Sequence, residues 1–287
     1  SYSSVTVGNA HALYTEGTLN SFSNSIALTT GTHATRYSVY LNGASSNTFT
    51  LFFASRTTDA RGFLFNYANY NSVIQSTAAI YGPGGGAAVG LNNGSSSNTF
   101  TRNFFYAPAN TGFYFGYGGP IPTNYNTVRL STIIVNNTSS GDAAVQFGAS
   151  GVTYAQYNTV SECFIENRAG GYAVWIASSS IFNIVDMSTI VSNGATRAAV
   201  QMNIDATSNT ISSSYIQNSL GWAVRISSAD YNVVIGRDQA EVRDRIGWIR
   251  DHYTRAGLPR KVVDSTVRSF ETGPLVGTPE QVVEALV

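Results

Sequence analysis

Three stretches of the sequence, NTVSECFI at 158–165, NIVDMSTI at 183–190 and NTISSSYI at 209–216, follow one pattern that decides the fold. Each begins with asparagine, has an apolar residue two positions later, a small residue at its sixth position and isoleucine at its eighth. Asparagines followed by this apolar residue recur every 23 to 32 residues, which indicates an internal structural repeat. They are Asn24, Asn47, Asn71, Asn98, Asn126, Asn158, Asn183, Asn209 and Asn232.

A second periodic segment precedes each of the later asparagines. Two apolar residues flank one variable residue, as in 174–176 and 200–202, and this period of two indicates a half-buried strand. Short strands of one repeat cannot bury their inner face alone, but repeats stacked about 4.8 Å apart share a continuous core. The sequence therefore predicts a right-handed parallel β-helix of about eight turns over residues 24–234, with 1–23 as its start or its cap.

The repeated asparagines are expected to form a ladder along the stacked turns. Asparagine tolerates the left-handed backbone of a turn, and its amide can hydrogen-bond the asparagine of the next turn. The predicted ladder residues are Asn47, Asn71, Asn98, Asn126, Asn158, Asn183, Asn209 and Asn232. An antiparallel sandwich with Asn and Gly turns is the alternative, although its strands need not repeat the same residue classes at the same offsets.

This Asn-x-apolar-x-x-Ser/Asn-x-apolar unit resembles the pectate-lyase-like and NosD-like right-handed β-helix superfamily over about 210 residues. The resemblance implies the fold. It does not select a function, because that superfamily includes lyases, hydrolases, epimerases, phage tailspikes, adhesins and structural proteins.

The composition excludes several classes of function. Only 11% of the 287 residues are charged, against about 25% in ordinary soluble domains, and the net charge is zero. A nucleic-acid-binding protein would need a basic surface, so nucleic acid is not an expected partner. No apolar run approaches the length of a membrane span. The Ser/Thr/Asn/Gly/Tyr-rich part before residue 235 favours a secreted or cell-surface protein. The sequence begins at Ser1 without methionine, which fits either removal of a signal peptide or a trimmed start.

Charge divides the chain at residue 235. Residues 235–287 hold half of the charged side chains and the only lysine, Lys261. Apolar residues at helical spacing over 238–256 predict a short α-helical C-terminal segment. Stretches 236–242, 252–259 and 277–283 resemble a fragment of the luciferase-like flavin- or F420-dependent oxidoreductases. That family needs a complete eight-unit barrel, so we expect no cofactor here and interpret the segment as a cap on the solenoid.

Candidate catalytic residues are few. Polysaccharide hydrolysis needs two neighbouring carboxylates, and β-elimination of the pectate-lyase kind needs a calcium site and a base. Glu162 and Asp186 fall on successive predicted turns and are the weak candidates. Glu166 and Arg168 are interpreted as a solvated pair, and Cys163 as core filler. No histidine, cysteine or carboxylate pattern predicts a metal site.

One column of residues suggests binding. The position between the two apolar residues of each later repeat is expected to face outward, and aromatic or amide side chains there can stack on sugar rings and bond their hydroxyls. The candidate ligand-binding residues are Tyr40, Tyr114, Gln146, Trp175, Gln201 and Arg225.

The sequence favours a non-catalytic extracellular or surface β-helix, a structural or adhesive rod that contacts a glycan or another cell-surface polymer. Self-association through the unpaired strands at the rod ends is a further expectation. The alternative function is a polysaccharide lyase or glycoside hydrolase with its site near Glu162 and Asp186.

Overall fold

The computed structural model describes residues 3–31, 36–57, 61–82, 86–116, 118–139, 141–149, 154–177, 179–203, 205–227 and 229–236. The chain divides into two units, 1–235 and 236–287. The predicted C-terminal helix and the luciferase-like stretches lie outside the described residues, apart from Gly236.

The described residues form 26 strands and no helix. The strands are β1 Ser3–Val7, β2 Leu13–Thr15, β3 Ser21–Thr29, β4 Val39–Asn42, β5 Thr48–Arg56, β6 Arg61–Asn66, β7 Ser72–Ile74, β8 Thr77–Ile80, β9 Ala87–Asn92, β10 Thr99–Thr101, β11 Phe104–Ala107, β12 Thr111–Phe115, β13 Thr123–Asn124, β14 Thr127–Arg129, β15 Thr132–Val135, β16 Ala143–Phe147, β17 Ala155–Gln156, β18 Thr159–Ser161, β19 Phe164–Asn167, β20 Tyr172–Ile176, β21 Ile184–Asp186, β22 Thr189–Ser192, β23 Val200–Met202, β24 Thr210–Asn218, β25 Val224–Ile226 and β26 Val233–Gly236.

Each turn of the chain contributes one strand to each of three parallel ladders. The first ladder begins directly after the repeated asparagines and contains β7, β10, β14, β18, β21, β26 and the first parts of β3, β5 and β24. The second ladder contains β1, β8, β11, β15, β19, β22 and the second parts of β3, β5 and β24. The third ladder runs in the order β2-β4-β6-β9-β12-β16-β20-β23-β25.

The strand registers confirm a parallel β-solenoid of about eight turns. Val174 lies opposite Val200, and Val200 lies opposite Val224, in one column of the third ladder. Every registered strand pair in the described residues is parallel, which excludes the antiparallel sandwich. The right-handed sense of the coil stays a prediction, in line with the usual hand of parallel crossovers.

The first predicted repeat is wrong by four residues. Asn20, not Asn24, precedes the first-ladder part of β3, because Ser21 lies opposite Thr48 in the register. The Asn20 amide also hydrogen-bonds Asn47 Oδ1 at 2.8 Å. The stretch 20–23 carries the same Asn-x-apolar pattern as 47–50, so the signal was present in the sequence.

Strands are present at both ends of the predicted β-helix. β1 and β2 pair with β3 and β4, so the described residues before 24 belong to the coil, as one of the two interpretations of 1–23 expects. At the other end β26 continues to Gly236.

Aromatic rings fill the interior between the ladders. Phe49, Phe63, Phe100, Phe113 and Phe147 are fully buried. Phe100 and Phe113 meet edge to face with ring centroids 4.8 Å apart, and such contacts add about 0.5–1.5 kcal/mol beyond the burial of area. The packed interior fixes the registers that position every outer side chain.

Candidate functional site

A continuous asparagine column marks the corner that precedes the first ladder. Oδ1 of each asparagine accepts the backbone N–H of the asparagine one turn earlier at 2.9–3.1 Å and the side-chain amide of that residue at 2.8–3.1 Å. The same amide nitrogen also donates to a backbone carbonyl, such as Asn126 Nδ2 to Ser95 O. Each position of the column requires a short side chain with two donor hydrogens and one acceptor oxygen, and the asparagine amide has both.

The left-handed backbone at this corner does not belong to the asparagines. The residue before each asparagine has φ between 54° and 58°. These residues form the corner column, and in chain order they are Leu19, Ser46, Tyr70, Ser97, Tyr125, Tyr157, Phe182, Ser208 and Tyr231. A second left-handed column, at the corner between the first and second ladders, includes Asn24, Gln75, Leu130 and Glu162. Aromatic and branched side chains seldom adopt this conformation, so sequence propensity could not locate it.

The predicted open face on the third ladder is largely covered. Tyr114, Gln146, Trp175 and Gln201 are each less than one-tenth exposed, so the prediction that these side chains face solvent is wrong for them. At the ends of the same column Tyr40 is half-buried and Arg225 is exposed. Alternation shows which side of a strand points outward, but it does not show whether the outer side is covered.

A bulge in the third ladder places a small residue beside each inner apolar pair. The backbone N–H groups of Ala173 and Val174 both donate to Ala199 O, at 3.0 and 2.9 Å, which is the pattern of a β-bulge. A Cβ on Gly112 would lie 2.5 Å from Ile133 Cγ2. The small residues at this position are Gly62, Ala88, Gly112, Ala144, Ala173 and Ala199.

Trp175 lies within a buried outer cluster of the third ladder. Its ring packs against that of Tyr172, with centroids 5.7 Å apart, and beside Ala143 and Ala177. The indole Nε1–H is buried and has no hydrogen-bond partner within the part of the chain that the structure describes. Trp175 therefore does not offer an open platform for a sugar ring.

The two candidate catalytic carboxylates lie on neighbouring turns but have separate partners. Glu162 Oε1 lies 3.4 Å from Arg129 Nη2, and Asp186 Oδ1 accepts a hydrogen bond from Ser212 Oγ at 2.8 Å. The backbone N–H of Glu162 donates to Asp186 O, so the two residues adjoin through the main chain.

Glu166 is buried and pairs with the partly exposed Arg168, so the interpretation of the two as a solvated pair is wrong for Glu166. Glu166 is 1% exposed, and its Oε2 accepts a hydrogen bond from Arg168 Nε at 2.9 Å. Burial raises the pKa of the Glu166 carboxyl, while the neighbouring guanidinium opposes that shift.

The outer side of the first ladder presents hydroxyl groups to solvent. Its strands alternate an outer Ser or Thr with an inner apolar residue, and these hydroxyl residues are exposed or half-buried. They form two files: Ser21, Thr48, Ser72, Thr99, Thr127, Thr159 and Thr210 in one, and Ser23, Thr50, Thr101, Ser161 and Ser212 in the other. Ile74, Arg129, Ile184 and Asp186 interrupt the files. We call this surface the hydroxyl face.

The corner column borders the hydroxyl face. The rings of Tyr125, Tyr157 and Phe182 stack on successive turns, with centroids 5.2 and 5.0 Å apart and interplanar angles of 11° and 7°. Tyr70 has no stacked ring neighbour among the described residues and is 69% exposed. Sequence reasoning missed this column, although an aromatic residue directly before the repeated asparagine was visible at Tyr70, Tyr125, Tyr157, Phe182 and Tyr231.

A second aromatic cluster lies at the N-terminal end of the third ladder. The rings of His11, Tyr14, Tyr37 and Tyr40 pack with centroids 5.0–6.0 Å apart. His11 Nδ1 accepts the Tyr37 backbone N–H at 3.0 Å, and burial together with the Arg36 charge lowers the pKa of His11. At these distances the rings pack against one another.

The described residues contain no group of three or more His, Cys, Asp or Glu side chains able to hold a metal ion. Nor do they contain a helix long and apolar enough to cross a membrane.

Comparison with known proteins finds likeness in structure alone. No protein-family model matches the chain, and no curated protein matches it. ORF18 of Geobacillus virus E2 is similar with a TM-score of 0.55 and 11% identity over 82% of this chain and 52% of that chain. The A-module of the Azotobacter vinelandii mannuronan C-5 epimerase AlgE6 is similar with a TM-score of 0.45 and 14% identity, over 76% of this chain and 65% of that chain. The Streptococcus pneumoniae surface protein and adhesin PfbA is similar with a TM-score of 0.42 and 8% identity, over 76% of this chain and 68% of that chain.

The likeness to the phage protein agrees with the fold that the strand registers show. The chain is a parallel β-solenoid. The chain spans about half the length of the phage protein. Sequence identities of 8–14% are too low to assign the activity of one protein to another. The luciferase-like resemblance of 235–287 has no support from the family models.

Proposed function

We propose that this chain is an extracellular or surface solenoid that binds a neutral, extended glycan on its hydroxyl face and acts as an adhesive or structural element without catalysis. The observation that carries the proposal is the partly exposed pair of hydroxyl files on a ladder held rigid by the asparagine column and the aromatic core.

The hydroxyl face suits a polymer with regularly spaced hydroxyl groups. Neighbouring strands lie about 4.8 Å apart, and alternate residues of one strand lie about 6.6–6.8 Å apart, so the files form a regular two-dimensional array. Hydroxyl groups donate and accept, which matches the hydroxyls of a sugar in either orientation. Arg129 and Asp186 are the charged side chains within the files, so most of the array favours a neutral glycan over a uronate.

The proposal is tested by binding to insoluble and soluble neutral polysaccharides. The double variant Thr99→Val/Thr127→Val keeps side-chain shape and removes two adjacent hydroxyls, and it is expected to weaken binding severalfold. Thr189→Val on the second ladder is the matched control and should bind as the parent does. If the double variant and the control both bind as tightly as the parent does, any glycan contact lies elsewhere on the molecule.

The alternative function, a polysaccharide lyase or hydrolase, rests on the adjacency of Glu162 and Asp186. The non-catalytic proposal expects no new reducing ends and no unsaturated products from neutral glycans or uronates. Turnover that is present in the parent and lost in Glu162→Gln would establish the enzymatic alternative instead.

Self-association is the second part of the proposal. At the N-terminal end β1 and β2 are the first strands of the described ladders, and such edges can pair with another chain. Light scattering and electron microscopy over a range of protein concentrations would show filaments or oligomers if these edges pair, and monomers alone would contradict it.

A further inference from the structure

The corner column contains gaps of a defined size. Tyr70, Ser97 and Tyr125 lie on successive turns, because Tyr70 N–H donates to Ser96 O and Ser97 N–H donates to Asn124 O. Serine is too short to fill the space that a ring occupies elsewhere in the column. Two strand spacings separate the tyrosines, so their rings flank a slot about 9.6 Å across. Phe182, Ser208 and Tyr231 repeat the arrangement farther along the column.

The two tyrosines that flank the slot are both in an unfavourable backbone conformation. Tyr70 and Tyr125 have φ of 58° and 57°, in a region that glycine or asparagine would occupy at lower cost. Stacking offsets part of this cost for Tyr125 and Tyr157. Tyr70 has no such neighbour in the described chain and is 69% exposed. Uncompensated departures from local preference concentrate at functional sites.

The size and the chemistry of the slot select its occupant. A ring placed midway between Tyr70 and Tyr125 lies about 4.8 Å from each, within the range of ring stacking contacts. The residues within two positions of Tyr70, Ser97 and Tyr125 are all uncharged, and they include the hydroxyl and amide side chains of Ser72, Ser96, Thr99, Asn124 and Thr127. A planar apolar ring would leave these groups without partners, whereas a neutral pyranose offers two faces of C–H bonds and a rim of hydroxyls.

We propose that the slot between Tyr70 and Tyr125 over Ser97 is a subsite for one pyranose ring of a neutral glycan. The inference rests on the glycan-binding function proposed above and assigns it to particular residues. The two tyrosine faces sandwich the sugar ring, and the adjoining hydroxyl face binds the sugars that follow it.

The slot is tested by isothermal titration calorimetry with the full chain and three probes: cellohexaose, mannohexaose and hexagalacturonate. Ser97→Tyr is the decisive variant, because a tyrosine there fills the slot with a residue that the column already accepts at four positions. Circular dichroism and thermal melting should show that this variant stays folded. Its affinity for whichever neutral hexasaccharide the parent binds should fall at least tenfold. The affinities of Tyr70→Ala and Tyr125→Ala for that probe should each fall by a similar factor.

Two controls separate the slot from the rest of the surface. Ser97→Gly keeps the gap open and suits the left-handed backbone, so its affinity should stay within about threefold of the parent, as expected for one exposed hydroxyl. Tyr67→Ala removes an exposed tyrosine outside the column and should leave affinity unchanged.

The outcomes distinguish the subsite from the function. Full affinity in folded Ser97→Tyr would overturn the slot while leaving glycan binding in place. Absence of binding to both neutral probes by the parent would overturn both proposals, and preference for hexagalacturonate would overturn the assignment of a neutral sugar.

Discussion

At the scale of single residues, the asparagine column shows why one amide cannot be replaced by a carboxylate of the same shape. Asn126 Nδ2 donates to Ser95 O, Asn124 O and Asn158 Oδ1 at 2.9–3.1 Å in a buried corner. An aspartate would turn these donors into acceptors and place like partners against one another.

We therefore expect Asn126→Asp to lower the free energy of unfolding by about 3 kcal/mol or more at neutral pH, because several buried acceptors lose their donor. The loss should shrink in acid, since protonation removes the buried charge and restores one donor. Urea unfolding at two pH values measures this, with exposed Asn136→Asp as the control. Equal stability of the variant and the parent would contradict the role assigned to the column.

The column of small residues five positions after the asparagines accommodates Cys163. Its backbone N–H donates to Ser188 Oγ, its Sγ lies 3.2 Å from Ser161 O, and burial raises the pKa of the thiol to about 12. We expect native protein to resist thiol reagents at neutral pH and Cys163→Ser to melt within a few degrees of the parent, because serine already occupies this column. Rapid labelling of the native thiol would show that the corner opens.

Glu166 makes the stability of the protein fall as pH rises. Its folded pKa is raised by burial, so the folded state holds the proton more tightly than the unfolded state does. Its contribution to stability therefore falls as pH rises from the unfolded pKa through the folded pKa. Glu166→Gln, which retains an acceptor for Arg168, should remove this component of the pH dependence and raise the melting temperature at neutral pH. A variant with an unchanged pH profile would show that the pair with Arg168 fully compensates for burial.

At the scale of elements, the bulge of the third ladder sets how closely that ladder approaches the second. At Gly112 an added Cβ would meet Ile133 Cγ2 at 2.5 Å and Ala144 O at 2.6 Å, so the strand must shift to admit it. We expect Gly112→Ala to destabilise the protein by about 1–3 kcal/mol, the usual cost of overpacking. Gly141→Ala, whose added Cβ would meet only Ser139 Oγ at 3.7 Å, is the matched control. Chemical denaturation of both variants measures the difference in their free energies of unfolding.

At the scale of the whole molecule, each turn contacts mainly its two neighbours, so stability varies along the solenoid. The central strands β10 and β12 hold fully buried Phe100 and Phe113, whereas Val5 in β1 and Ile226 in β25 are nearly half exposed. Hydrogen exchange followed by mass spectrometry should therefore show the slowest exchange in the central turns and faster exchange in β1 and β25. Uniform protection from end to end would mean that the solenoid opens as one cooperative unit.

The sequence by itself determined the repeat, the parallel stacking, the inner apolar positions and the asparagine column from Asn47 to Asn232. It could do so because each turn must place the same residue class over its neighbour to complete the core and the hydrogen-bonded ladder. Because every turn has the same packing and hydrogen-bonding requirement, the same residue pattern recurs along the sequence.

Only the tertiary structure decided which outer surfaces meet solvent. The same alternation describes the buried column at Tyr114, Gln146 and Trp175 and the partly exposed hydroxyl face, because alternation assigns a side chain to the outer side of a strand and not to solvent. Likewise, the left-handed residue proved to be the one before the asparagine, since stacking and the fixed register outweigh the local preference of tyrosine and phenylalanine at that corner.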